Sequence, residues 1–348
     1  MSENRSFFRD TVERILTDTL DKADIDLAEE KRLLPAALHD ALVENGITLM
    51  LVPEEQGGIG ASLGDAAAIL RLIGDAAAPG PILETMLGQK LLADAGFDLA
   101  DRLVSLVFAE TVALPASNAT QWDEAALYDV PWPQAVDHIL VIAREGDAAR
   151  LIVTNAGDWT AAPLADAAGE PRDNLSAASI TIRSASLPNY DALLRTAGIL
   201  RGAQILGAIE WSFRRTVEYA GERKQFGREI GKFQAVQQML AELAAHLLAS
   251  SSITEAAAEG QSPGLVAASR SRLGDAVDAT ITIAHQVHGA MGFSLEYALN
   301  SRTRRLMAWR DDYGSVLHWR RALAENFTEL DRETFWLGVS DAGLAQAT

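Results

Sequence analysis

Arg223, Phe226 and Gly227 stand close together in Glu222-Arg223-Lys224-Gln225-Phe226-Gly227, and their types suit the holding of a dinucleotide. A guanidinium can make a two-pronged contact with a phosphate, an aromatic face can lie on adenine, and glycine takes backbone angles closed to other residues. Ile230, Phe233-Gln234, Gln237 and Leu240 follow. A second group with similar potential is Gln286-Val287-His288-Gly289-Ala290-Met291-Gly292-Phe293. It is trailed by Glu296-Tyr297, by Arg302, Arg304 and Arg305, and by Asp311-Asp312-Tyr313-Gly314. The first group also reads as an ordinary helix hairpin with an exposed arginine and a core phenylalanine.

Both groups need elements to carry them. Leu200 to Tyr219 has apolar residues at helical spacing (Ile205, Leu206, Ile209, Phe213, Val217), and Phe233 to Leu248 repeats the pattern, so Glu222–Gly227 is expected to be a turn between two helices. Upstream, helical spacing covers Phe8–Leu20, Leu33–Val43 and Ala66 through Leu83 to Leu92, with turns at Pro53–Gly60 and Ala78-Pro79-Gly80-Pro81. Between them the texture changes to short β-branched or alternating runs: Leu103–Phe108, His138–Ala143, Arg150–Thr154 and Ala178–Ile182. The expected fold class is therefore α+β. Residues 1–104 form an N-terminal helical domain, 105–187 a small middle β domain, and 188–348 a C-terminal helical bundle of four-helix type.

Composition sets limits. A chain of 348 residues with 48% hydrophobic content can build a substantial core. No run of eighteen apolar residues and no leader pattern is found, so neither a membrane span nor a signal peptide is expected, and the expected compartment is the cytoplasm. Zero cysteines exclude disulfides and thiol chemistry, and the six histidines show no metal-ligand spacing, so no metal is expected. A net charge of −18 argues against a nucleic-acid partner. Basic residues nevertheless cluster beside both nucleotide-like groups, as Arg214, Arg215, Arg223, Lys224 and Arg228, and as Arg302, Arg304, Arg305 and Arg310. Such charges also read as a solvated helix face with intrahelical pairs such as Glu210 with Arg214.

Together the two groups resemble the acyl-CoA dehydrogenase family, which carries R-x-x-F-G followed by F-Q-x-x-Q, and later Q-x-x-G-G-x-G-F-x-x-E-Y. Leu51-Val52-Pro53-Glu54-Glu55-Gln56-Gly57-Gly58-Ile59-Gly60 resembles the family's V-P-E-x-x-G-G-x-G turn, so the likeness spans roughly residues 30 to 325. The resemblance implies helices, sheet, helices, with FAD as cofactor and an acyl-CoA thioester as substrate. A carboxylate removes the α-proton while the flavin accepts the β-hydride. It assigns Arg223 to the pyrophosphate and Phe226 and Phe233 to adenine or ribose. Gln225 lies within the same motif, and Gln234, Gln286 and the backbone of Val287, Gly289 and Ala290 fall to the ADP portion. Ala290 replaces the family's second glycine.

The chain departs from its relatives where the chemistry is done. The register of the family's glutamate falls on Tyr313, before Gly314, and the alternative register on the preceding helix falls near Ala197 and Gly198. A tyrosine titrating near 10 is a poor base at neutral pH, which leaves Asp312 as the remaining candidate. The family's T-E-P-x-A-G-S-D loop, which lies against the flavin ring, is replaced by Ala109-Glu110-Thr111-Val112-Ala113-Leu114. Trp122, Trp132 and Trp159 could cover a ring or form core. The resulting expectation is a subunit that completes the FAD site of a homologous catalytic partner in an α2β2-like hetero-oligomer. Such a chain resembles the short partner subunits of bacterial steroid side-chain dehydrogenases, with an electron-transfer flavoprotein as a further candidate partner. The alternatives are a homo-oligomeric enzyme using Asp312 and a flavin-free structural homologue.

Overall fold

The computed structural model describes residues 3–109 and 113–328. Five helices come first: α1 (Glu3–Thr19), α2 (Lys22–Lys31), α3 (Ala36–Glu44), α4 (Leu63–Ala76) and α5 (Ile82–Asp94). Strands β1 (Val104–Ala109), β2 (Gln121–Pro131), β3 (His138–Glu145), β4 (Ala148–Asn155), β5 (Thr160–Ala162), β6 (Arg172–Thr181) and β7 (Arg183–Leu187) follow. The rest is α6 (Tyr190–Glu222), a ribbon of β8 (Lys224–Gln225) and β9 (Arg228–Glu229), then α7 (Gln234–Gly260), α8 (Pro263–His288), α9 (Ala298–Trp309) and α10 (Val316–Thr328). The α+β order matches the expectation. Helix α2 escaped the sequence reading because its apolar positions are few; a reciprocal cap between Asp21 and Asp24 starts it and a left-handed Arg32 ends it.

The chain forms two compact units, one taking the chain up to Ala66 with Ala78–Ala197, the other Ala67–Ala77 with the chain from Gly198 on. In the first, the sheets are ordered β1-β3-β4-β7 and β2-β6-β5; β1 and β3 are parallel, the other pairs antiparallel. Strand β2 was missed because its inward residues are interrupted by a register shift between Leu127 and Val130, with Asp129 left-handed. Trp122 and Trp132 are each 2% exposed. Trp122 packs edge-on against Trp159, whose indole Nε1 donates to Thr154 Oγ1 at 3.0 Å. These tryptophans are core rather than ring covers. Of the segment expected against the flavin, Glu110, Thr111 and Val112 lie outside the described residues.

The turn between α4 and α5 hides a titrating group. His39 of α3 is buried under it, with Nε2 3.0 Å from the Pro79 carbonyl oxygen, and a side chain on Gly80 would stand 2.5 Å from the ring. Burial pushes the imidazole down from 6.5 to about 4. The unfolded chain therefore binds the proton first, so the stabilisation is complete above pH 6.5 and is lost as pH falls from 6.5 to 4. The whole interval corresponds to about 3 kcal/mol. Urea melts across that range should lose this amount in the native chain and much less in His39→Gln.

The second unit is built on glycine crossings. A methyl on Gly74 of α4 would sit 1.9 Å from the Gln204 carbonyl oxygen, and one on Gly207 of α6 would sit 1.9 Å from that of Arg71. The two helix backbones touch reciprocally, and the helices move apart if either glycine gains a side chain. Helix propensity alone would make Gly74→Ala stabilising by about 1 kcal/mol. We expect instead a net loss of about 2 kcal/mol, because overpacking against backbone has no flexible atom to yield; thermal melts decide the sign. The same crossing overturns the expected Glu210–Arg214 pair: Glu210 takes Arg71 at 2.9 Å and Arg214 takes Asp75 at 2.6 Å. Beneath lie Leu206, Ile209, Leu273, Val277, Leu306 and Trp309.

Candidate functional site

Helix α6 ends at Glu222, and the segment expected as a simple turn is a two-stranded ribbon, Lys224–Gln225 pairing with Arg228–Glu229. Its two central residues are both left-handed, Phe226 at φ 52° and Gly227 at φ 80°. That is the turn whose twist suits a two-residue hairpin, and it favours Asn-Gly. Phenylalanine there is strained by about 1 kcal/mol or more. Phe226 is also 93% exposed and makes an edge contact to Phe233 at 6.2 Å. Strain and exposure together leave an apolar aromatic face open to solvent at the ribbon's tip.

Arg223 stands at the base of the ribbon, exposed, and its guanidinium makes no ion pair or hydrogen bond among the described residues. Neighbouring cations are engaged: Arg215 with Glu218 and Glu222 at 3.0 Å each, and Arg228 over the Phe233 ring at 4.2 Å. Gln225 and Gln234 are exposed beside it, and Phe233 is half-buried.

The second group comes to the same place. Val287 of α8 packs with Ala220, Leu243 and Ile283, and against Ile230 and Val236 on either side of the ribbon's exit, so one apolar cluster joins both motifs. This uses the Val287 side chain and leaves Gln286, Gly289 and Ala290 exposed. Gly289 has φ 59° and ψ −143°, and a Cβ there would meet nothing within 4 Å. Its glycine is required by backbone angle, with open space beyond it. An unpaired guanidinium, an outward aromatic and open backbone fit the ADP side of a dinucleotide.

The basic cluster after it does different work. Arg302 donates to the Ala76 carbonyl at 2.9 Å under Trp211, ending α4; Arg305 is fully buried; Arg304 holds Asn300, and Arg310 pairs with Asp278 at 3.0 Å. These arginines hold helices rather than a ligand.

The corner expected to carry the base is closed by packing. Asp311 accepts from the Val316 amide at 3.0 Å and starts α10. Asp312 faces Arg201 Nε at 3.2 Å, while its carbonyl accepts from Arg270 Nη2 at 2.7 Å. Tyr313 is left-handed at φ 55°, its ring 5.6 Å from the Arg201 guanidinium. A Cβ on Gly314 would stand 2.7 Å from Trp319 Nε1, and one on Gly198 would stand 2.9 Å from Trp319 Cζ2. One buried indole therefore fills the space next to both registers. Burial pushes the Arg270 guanidinium down to about 10 against the attraction of Asp312. Arg201, Arg270 and Trp319 were missed by the sequence reading, though arginines at core positions of apolar helical faces were the available signal.

Comparison with known proteins agrees with this architecture. Residues 2–98 match the acyl-CoA dehydrogenase N-terminal domain and residues 193–311 match the acyl-CoA dehydrogenase C-terminal domain. The chain is 27% identical over 308 residues to the acyl-CoA dehydrogenase IpdE2 of Mycobacterium tuberculosis, covering 87% of this chain and 91% of that one. Among solved structures, the ChsE4-ChsE5 complex from Mycobacterium tuberculosis superposes with a TM-score of 0.84 at 20% identity, over 95% of this chain and 99% of that one. The Tcur3481-Tcur3483 steroid ACAD superposes with a TM-score of 0.79 at 20% identity, over 93% and 97%. FAD is the cofactor of the family these domains define. With both of its helical domains matched in order around a small β region, the chain belongs to the acyl-CoA dehydrogenase family.

Proposed function

We propose that this chain is the half-site subunit of a heteromeric acyl-CoA dehydrogenase: it holds the ADP side of an FAD whose ring and catalytic carboxylate belong to a homologous partner. The observation that carries this reading is the closed corner. Gly198 and Gly314 are both packed on Trp319, and the adjacent carboxylate of Asp312 is ion-paired with Arg201 Nε at 3.2 Å. A general base must take up a proton, and the positive charge of a buried arginine beside the aspartate opposes that. The ribbon supports the other half of the reading, since Arg223 and Phe226 are both exposed and the Arg223 guanidinium has no partner among the described residues.

In this reading Arg223 neutralises pyrophosphate, Phe226 and Phe233 pack on adenine or ribose, and Gln225, Gln234, Gln286 and the backbone of Val287–Ala290 take the remaining polar contacts. FAD, when bound, supplies the hydride acceptor for α,β-dehydrogenation of the thioester. The paired assemblies named for the two solved neighbours support a heteromer, which we propose to be of α2β2 type, and the steroid ACAD supports a steroid-linked acyl-CoA. An electron-transfer flavoprotein is the proposed electron acceptor and the cytoplasm the proposed compartment. No described helix is long and apolar enough to cross a membrane.

The test is flavin absorbance and dehydrogenase activity of the chain alone, and again after co-expression with a longer homologue that retains the glutamate. Flavin and turnover are expected only in the mixed complex. A yellow, active lone chain would overturn the half-site in favour of an unusual base, and a complex that gains nothing from this chain would point to a structural homologue.

A further inference from the structure

His285 and His288 close α8 immediately before the nucleotide segment, and neither side chain is among the proposed nucleotide contacts. His288 is 3% exposed, its ring stacked on Tyr219 (centroids 4.3 Å apart, 25° between planes) and 5.3 Å from Tyr297. Its Nδ1 lies 2.8 Å from the Ala284 carbonyl oxygen. A carbonyl only accepts, so Nδ1 carries the proton, and Nε2 of the neutral ring is a bare acceptor, buried and without a partner among the described residues.

His285 has the opposite arrangement. Its Nε2 is 3.0 Å from Thr303 Oγ1, whose own proton is directed to the Leu299 or Asn300 carbonyl at 3.1 and 3.2 Å. The hydroxyl therefore receives the His285 Nε2 proton, and His285 Nδ1 is the buried bare atom. That atom faces Gly292, where a Cβ would stand 3.0 Å from it and 3.1 Å from His288 Cβ. The His285 ring also stacks on Phe293 (4.3 Å, 28°). The Gly289–Phe293 turn is thus pressed onto two neutral rings of opposite tautomer, one fixed to α9 through Thr303 and the other to α6 through Tyr219.

We propose that His285 and His288 are positioning residues for the nucleotide segment, working as neutral rings, and that protonation of either releases the Gly289–Phe293 turn and with it the chain's hold on FAD. The groups that face the pair are Arg215 and Tyr219 from α6, Thr303 from α9, Phe293 and Tyr297 from the connection, and each histidine toward the other. None of these is a carboxylate. Glu218 and Glu222, which neutralise Arg215, are themselves exposed. A second ring proton would point into space without an acceptor, and the new charge would face Arg215. Burial already holds both imidazoles below their ordinary 6.5. The hold is therefore complete above pH 6.5 and fails below it, as pH falls through the lowered values.

The role in FAD retention rests on the half-site reading; the tautomers do not. Nitrogen-15 histidine NMR of the flavin-free chain should show His288 protonated on Nδ1 and His285 on Nε2, both neutral at pH 6.5. Amide exchange across Gly289–Phe293, corrected for intrinsic rates, should accelerate below that pH. Opposite tautomers, a charged ring at pH 6.5, or a turn whose protection is unchanged to pH 5 would overturn the proposal with or without flavin. In the mixed complex, FAD affinity should fall at least tenfold between pH 7 and 5. His288→Phe, which keeps the stack and cannot titrate, should reduce that fall to the part that His285 contributes; an unchanged profile would also overturn it. A complex that binds no FAD at any pH refutes the half-site reading instead, and the NMR and exchange outcomes still decide the histidines.

Discussion

Arg223→Ala is expected to empty the mixed complex of FAD while leaving the chain folded. A charge-assisted, two-pronged contact to phosphate contributes about 1.5–3 kcal/mol, so affinity should fall roughly 10- to 100-fold. The native chain gives Arg223 no partner among the described residues, so its removal should change the melting temperature by less than about 1 °C, as for a surface site. Flavin content of the purified complex and thermal melts of the lone chain read the two effects separately. Phe226→Gly extends the argument, because the left-handed tip at φ 52° suits glycine. It should stabilise the lone chain by up to about 1 kcal/mol and still weaken FAD, through loss of an aromatic face that contributes about 1 kcal/mol. A residue whose loss improves the fold and harms binding is kept for binding. If Arg223→Ala retained full flavin, the ribbon would not be the pyrophosphate site.

How much of this was legible beforehand depended on whether the cause was local. Periodicity located the long helices because their apolar faces recur within the chain, and Arg223, Phe226, Gln286 and Gly289 could be named because their motif is contiguous. The ribbon itself was not legible: Phe226 in a left-handed turn contradicts residue preference, and local rules fail where a site stores strain. Strand β2 hid behind its register shift, and α2 behind its polar faces. The Glu210–Arg214 pair was a sound local guess that lost to Arg71 and Asp75, which arrive from a helix more than a hundred residues away. The closing of the catalytic corner was invisible for the same reason. Gly198, Gly314 and Trp319 meet only in the folded unit, and a glycine in sequence does not say which side chain will fill the space beside it.

Asp312→Asn separates the structural reading of that corner from the catalytic one. The carboxylate lies 3.2 Å from Arg201, and it exerts the largest favourable charge effect on Arg270, which like Arg201 is only 3% exposed. Asparagine keeps the shape and removes a charge that acts on two buried guanidinium groups, with Asp311 still acting on Arg270. Breaking a buried pair from one side costs about 3–5 kcal/mol, which lowers the melting temperature by on the order of 10 °C in a chain this size. Activity per folded mixed complex, assayed well below the melt, should stay within about twofold if, as proposed, the proton is taken by a partner's carboxylate. A catalytic Asp312 predicts the reverse pattern, a loss of at least about 100-fold in turnover with little change in stability. Arg201→Met added to Asp312→Asn should recover part of the stability, because an apolar replacement of the whole pair leaves less charge uncompensated than removal of one partner. Such a recovery identifies Asp312 as the counter-ion of a structural arginine, which is what the proposed half-site role requires of this corner.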